Sequence, residues 1–143
     1  MRIKKDEERK KVCGDIFNDI LSTLTSSELP LFGYDALLKQ TLKKHKAVEC
    51  VYILDENGIQ VTDTYHKIEK ARSSAESIFK PDTEGVDQSL KDYYLFLQNG
   101  DKRYISDVYI SLASGNVCTT VSQKFRTVTA ENLILCVDIL QDQ

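Results

Sequence analysis

Long hydrophobic runs are missing from this chain of 143 residues. Nowhere does it approach the ~20 consecutive apolar residues that a membrane-spanning helix needs, and its first residues lack the apolar stretch of a signal peptide. Histidine is scarce, at two, and the four cysteines, Cys13, Cys50, Cys118 and Cys136, form no Cys-x-x-Cys pair. With only His45 and His66 to join them, and no ligand spacing between, the sequence predicts no metal centre. There is no Gly-rich phosphate loop, no Gly-x-Ser-x-Gly elbow and no His–Cys pair, so no catalytic or cofactor motif is recognisable. A basic surface is lacking too. Arg2, Lys4, Lys5, Arg9, Lys10 and Lys11 gather near the start, but Asp6, Glu7 and Glu8 interleave with them and the net charge is −3. That is a solvated helix face, not a phosphate-binding one. The expectation is a non-enzyme with no cofactor, no nucleic-acid partner and no membrane contact within this chain. Three of the cysteines fall in apolar patterns, where a free thiol behaves as a small hydrophobe. Reduced thiols point to the cytoplasm; the alternative is an extracytoplasmic segment separated from its membrane anchors.

What is present is a folded composition, 41% hydrophobic and 29% charged, which argues against disorder. The length suits one domain over 1–143, with a helix over 1–28 and a sheet-containing core over 48–140. Apolar residues recur at Val12, Ile16, Ile20 and Leu24, with Phe17 and Leu21 alongside, and predict an amphipathic helix. Pro30 and Gly33 punctuate the chain before a second helix through Leu37, Leu38, Thr41 and Leu42. Cys50 to Leu54 reads as a strand and Ile59 to Thr62 as its partner. Between them, Asn57-Gly58 accepts the positive φ of a tight hairpin turn. A weakly amphipathic helix over 66–79, a loop over 80–87 and a short helix over 89–98 follow. Three strands close the chain, over 103–112, 117–126 and 132–140. This order predicts an α+β fold: a five-stranded antiparallel sheet with the long N-terminal helix on one face, and short helices and a loop over the other, where a small cavity can form.

One charge stands out of place. Leu133-Ile134-Leu135-Cys136-Val137-Asp138-Ile139-Leu140 reads as a buried strand, yet it holds Asp138. Burying even a neutral polar group without a partner costs roughly 2–7 kcal/mol, so either the protein or a ligand must satisfy this carboxylate. In strand 103–112, alternation directs Val108, Ile110 and Leu112 to the core, and Ile105, Asp107, Tyr109 and Ser111 to the opposite face. Strand 117–126 sets Val117, Thr119 and Val121 against Cys118, Thr120 and Ser122, with many hydroxyls for a dry sheet. A pocket of Tyr109, Ser111, Thr120 or Thr119, and Asp138 fits this pattern. So does a structural carboxylate paired with Lys91 or Arg103. Asp55, Asp63, Asp87, Asp92 and Asp101 fall beside turns, where aspartate serves local hydrogen bonds.

Five pieces then occur in a telling order: Ile53-Leu54-Asp55-Glu56-Asn57-Gly58, Ser89-Leu90-Lys91-Asp92-Tyr93-Tyr94, Tyr104-Ile105-Ser106-Asp107-Val108-Tyr109-Ile110-Ser111, Gly115 with Val117-Cys118-Thr119-Thr120-Val121-Ser122, and Val137-Asp138-Ile139. Together they resemble the Cache family of sensor domains, the PAS-like modules of bacterial chemoreceptors, histidine kinases and diguanylate cyclases. The resemblance implies a ligand-binding signal-input domain without catalysis, for a small polar metabolite such as an amino acid or carboxylate. It implies a homodimer through the N-terminal helix and an effector domain outside this chain. In amino-acid-binding members a helix arginine holds the carboxylate, tyrosines and hydroxyls line the pocket, and a closing-strand aspartate takes the ammonium. Carried over, the ligand-binding residues are Lys91, Tyr93, Tyr109, Ser111, Thr120 and Asp138. Lys91 stands where the arginine would be, and a lysine offers a point charge, not a two-pronged fork. The competing reading is a ligand-free PAS-like dimerisation module. A formed polar cavity favours the sensor; a filled core with Asp138 in an internal salt bridge favours the module.

Overall fold

A computed structural model describes residues 2–28, 33–67, 82–112 and 114–141. Helices α1 (Arg2–Ser26) and α2 (Tyr34–Lys44) precede strands β1 (Val48–Asp55) and β2 (Tyr65–His66). Helix α3 (Asp92–Gln98) leads into β3 (Arg103–Ile105), β4 (Tyr109–Ile110), β5 (Val117–Arg126) and β6 (Asn132–Leu140). The sheet runs β2-β1-β6-β5-β3, with β4 also on β5, and every pairing is antiparallel. It is thus five strands wide, as the α+β reading expects, with the strand expected over 103–112 split in two. The helix expected over 66–79 lies outside the described residues, apart from His66 in β2 and Lys67 after it.

One face carries α1 and α2. Phe17, Ile20, Leu24, Tyr34 and Leu38 pack on Val51, Ile53, Val121, Leu135 and Val137, forming the main core. The stripe of α1 that enters this core is Cys13, Phe17, Ile20 and Leu24, not the four-residue spacing starting at Val12. With 3.6 residues per turn, each step of four drifts about 40° around the helix. Three such steps carry Val12 off the buried face, where it is 57% exposed. Arg9 fastens the start of α1 to the sheet. Its Nη1 donates to the Ser106 carbonyl at 3.1 Å and to Thr119 Oγ1 at 2.7 Å.

The second face carries α3 over a smaller cluster of Tyr52, Leu54, Leu97, Ile134 and Cys136. The expected hairpin forms, with Leu54 bridging Gln60 antiparallel and the Asp55 and Val61 N–H groups bonding the Ile59 and Ile53 carbonyls, but it is too short to continue as a regular strand. Gly58 takes φ +84°, and an added Cβ would come within 2.9 Å of Ser89 Cα, so glycine is required twice over. Beyond the turn, Gln60 donates its N–H to the Val86 carbonyl and accepts the Gly85 N–H, while Thr62 Oγ1 accepts the Ile53 N–H. Past Val61 the side chain of Thr62 replaces the ladder carbonyl, and regular pairing with β1 resumes at β2, Tyr65–His66.

Two register irregularities shape this second face. Opposite Asp138, β1 carries an extra residue: Val48 pairs Ile139 and Cys50 pairs Asp138, leaving Glu49 as the bulge. Between β3 and β4, Ile105 pairs Val121 whereas Tyr109 pairs Cys118, so one residue is again inserted. Ser106 makes the break, because its Oγ accepts the Thr120 N–H in place of a ladder carbonyl. A one-residue slip reverses the side-chain alternation. Hence Ile105 packs with the helix-side core, and Tyr109 turns to the other face. Val108, Ile110 and Leu112, expected in the core, are instead 50%, 68% and 74% exposed.

The four cysteines are free and buried. No described helix is long and apolar enough to cross a membrane.

Candidate functional site

Under α3, and walled by the segment from Ser106 to Leu112, the second face opens into a cleft of about 730 Å³. All six residues singled out in the sequence line it: Lys91, Tyr93, Tyr109, Ser111, Thr120 and Asp138. Thr119, the alternative to Thr120, points to the opposite face, where it meets Arg9. The floor of the cleft is a hydrogen-bond relay. Thr120 Oγ1 donates to Asp138 Oδ1 at 2.8 Å, and lies 2.7 Å from the Tyr109 hydroxyl. A threonine hydroxyl has one proton, so the Tyr109 O–H donates to Thr120 while Thr120 donates to the carboxylate.

Among the described residues no ion pair reaches Asp138. Arg103, the alternative partner, is on the helix face, bonded to Gln123 Oε1 at 2.7 Å and 4.9 Å above the Phe17 ring. Burial pushes the Asp138 carboxyl up to about 6; the Thr120 hydrogen bond opposes this, and the charge of Glu49 adds to it. Glu49 is itself only 3% exposed. Its Oε2 accepts the Cys118 thiol at 3.0 Å and its Oε1 the Asn116 amide at 3.0 Å. Bulge and strand break thus bring two carboxylates toward one place. The nearby Tyr109, Tyr93 and Tyr52 hydroxyls are all driven upward by burial first, and by the charge of Asp138 among lesser causes. Each stays protonated and able to donate.

Lys91 caps α3 in extended backbone with no side-chain hydrogen bond to the helix. Tyr93 stands edge-on to Tyr52 at 5.9 Å, and its carbonyl accepts the Ser122 hydroxyl at 2.7 Å. Sequence reasoning did not single out Tyr52, Tyr104 or Asp82, which line the same cleft, and it left Asp92 without a role there, while Asp107 lies on the cleft as its grouping with Tyr109 and Ser111 expects. Tyr52 alternates with Cys50 and Leu54 along β1, a signal that finds it once the register is known. Asp55 and Asp87 do serve turns, accepting the Asn57 and Ser89 N–H groups at 2.8 Å each. Asp92, grouped with them, faces the cleft from the first turn of α3. A groove of similar size between α2 and β2 is lined by the exposed lysines Lys39, Lys43, Lys46 and Lys67. Two of these charges have partners within the protein, Lys67 on the His45 carbonyl and Lys39 over the Tyr65 ring at 5.7 Å.

This arrangement is the fold of chemoreceptor ligand-binding sensor domains. The chain superposes on the ligand-binding domain of the Campylobacter jejuni chemoreceptor Tlp3 in complex with L-valine, with TM-score 0.64 and 17% identity, over 96% of this chain and 54% of that one. It is similar to the Pseudomonas aeruginosa amino-acid chemoreceptor PctC in complex with GABA, at TM-score 0.61 and 10% identity, over 95% and 56% of the two chains. A third match is Bacillus subtilis YkuI, a protein with an EAL domain solved with c-di-GMP and calcium, at TM-score 0.62 and 18% identity. It covers 99% of this chain and 36% of YkuI, so the chain spans about half or less of the proteins it resembles. No family model and no curated protein matches it. At these identities the likeness is one of fold.

Proposed function

We propose that this chain is a Cache-type sensor domain that binds a small polar metabolite in the α3 cleft and passes the signal to an effector outside the chain. The observation that carries this reading is the Tyr109–Thr120–Asp138 relay, ending in a carboxylate with no cation among the described residues, at the floor of an open cleft. Lys91, Tyr93 and Ser111 complete the proposed site from its walls. The fold shared with chemoreceptor sensor domains supports the reading, as does the lack of a catalytic motif in the sequence. The ligand-free dimerisation module calls for a filled core and an internal salt bridge at Asp138, and the described residues supply neither. We further propose one domain over 1–143 and a homodimer through α1, whose Val12 is left exposed. For the compartment, four separate buried thiols favour the cytoplasm. An extracellular ligand-binding receptor from Desulfohalobium retbaense among the matches (TM-score 0.54, 14% identity) favours the excised-segment alternative; a reporter fusion decides between them.

The test is thermal unfolding against amino acids, carboxylic acids, amines and purines, run beside Asp138→Asn. A ligand at 100 times its Kd stabilises by about 2.7 kcal/mol. A shift that vanishes in the variant supports the sensor. Silence across the panel, with a dimer lost on Val12→Asp, supports the module instead.

A further inference from the structure

The cleft is lopsided in charge. Asp82, Asp92, Asp107 and Asp138 line it, and Lys91 is its one cationic lining residue among those described. A ligand carboxylate entering here meets a single exposed lysine against four carboxylates, and a lysine makes no bidentate bond. An ammonium meets the opposite situation. Asp138 waits at the floor with its free lone pairs, and tyrosines 52, 93, 104 and 109 supply the aromatic faces over which cations settle. Asp82 is held in place by the Gln88 amide, which donates to its Oδ2 at 2.7 Å. The deep carboxylate and the outer ones therefore offer anionic contacts at two levels of the same cleft.

We infer that the ligand is an amine cation carrying no carboxylate, a monoamine or a short diamine, not an amino acid. This rests on the sensor reading above and narrows it. Lys91 then acts by exclusion: it repels a second cation at its own side of the cleft and is no anchor for a carboxylate. The acids outnumber it, so the net field still draws cations in.

The test compares amino acids with the amines left when their carboxyl group is removed: L-valine with isobutylamine, L-ornithine with putrescine, and L-lysine with cadaverine. Binding to the full chain is measured by calorimetry at pH 7.5. The amine of each binding pair is expected to bind at least tenfold tighter than its parent acid, and Asp138→Asn to abolish it. Asp107→Asn, at an exposed position whose side chain makes no internal bond among the described residues, should weaken the diamines severalfold. Lys91→Gln should tighten amine binding. If amino acids bind better than their amines, or Lys91→Gln removes binding, the ligand class is wrong while the sensor reading stands. If nothing in any pair binds, the amine class falls, and the sensor reading falls with it only when the carboxylic acids and purines of the wider panel are silent too.

Discussion

Replacing Asp138 with asparagine should make the protein more stable at neutral pH. Burial raises the folded-state carboxyl to about 6, against an ordinary 3.8. Because the folded protein holds this proton more tightly than the unfolded chain, the protonated group's stabilising contribution is complete below the unfolded value and lost as pH rises through about 6. At pH 7 and above the ionised group costs about 2–3 kcal/mol, with the lower figure allowing for water in the cleft. Asparagine keeps the oxygen that accepts from Thr120 and removes the charge. At roughly 2–4 °C per kcal/mol for a chain of this size, the variant should melt about 4–12 °C higher at pH 7.5. The gain should fall to about half at pH 5. Denaturant titrations of both proteins between pH 5 and pH 8 measure this. A variant that is less stable throughout, with a difference flat in pH, refutes the reasoning and makes Asp138 a partner in an internal contact.

Three further changes probe the frame around the cleft. Phe17→Ala should cost about 3–5 kcal/mol and Val12→Ala less than about 0.5 kcal/mol, as read by urea unfolding; equal effects would mean the helix phase is wrong. Gly58→Ala puts a Cβ 2.9 Å from Ser89 Cα at φ +84°, so it should destabilise by more than about 1 kcal/mol and loosen α3, which loss of Tyr94 protection in hydrogen exchange would show. Arg9→Ala removes the donor to the Ser106 carbonyl and Thr119; faster exchange at Ser106 and Thr120 is expected, and unchanged exchange would mean the tether is idle.

Much of the fold is legible because period and turn chemistry are local. Strands β5 and β6 span the expected residues, since each is long and bounded by turn residues. The features that build the cleft are not local. A bulge at Glu49 and an insertion after Ile105 leave no mark in a pattern of alternating residues, because each depends on what the neighbouring strand offers. Simple alternation puts Ile105 on the face of Tyr109 for this reason, whereas the insertion sends it to the helix-side core. Asp138 was found because a charge in an apolar strand breaks the pattern itself. Asp82 and Asp92 break none, being aspartates in a loop and at a helix start, so only their convergence on one cleft distinguishes them.

The same irregularities connect the cleft to α1. The Ser106 carbonyl accepts from Arg9, the Ser106 hydroxyl accepts from the Thr120 N–H, and the Thr120 hydroxyl holds Asp138. Three bonds therefore separate a ligand on Asp138 from the long helix. Contiguity alone is not coupling, but the energetics bound what this path can transmit. A ligand shifts a two-state balance only by its difference in affinity for the two states. If an ammonium relieves the 2–3 kcal/mol that ionised Asp138 costs, and does so in one state alone, the populations shift by about 30- to 150-fold. That suffices to turn a minor conformation into the major one. Asp138→Asn should therefore hold α1 at a single exchange rate, with or without ligand, while the unaltered chain shows two. A ligand-dependent change in α1 that survives in the variant would place the switch elsewhere.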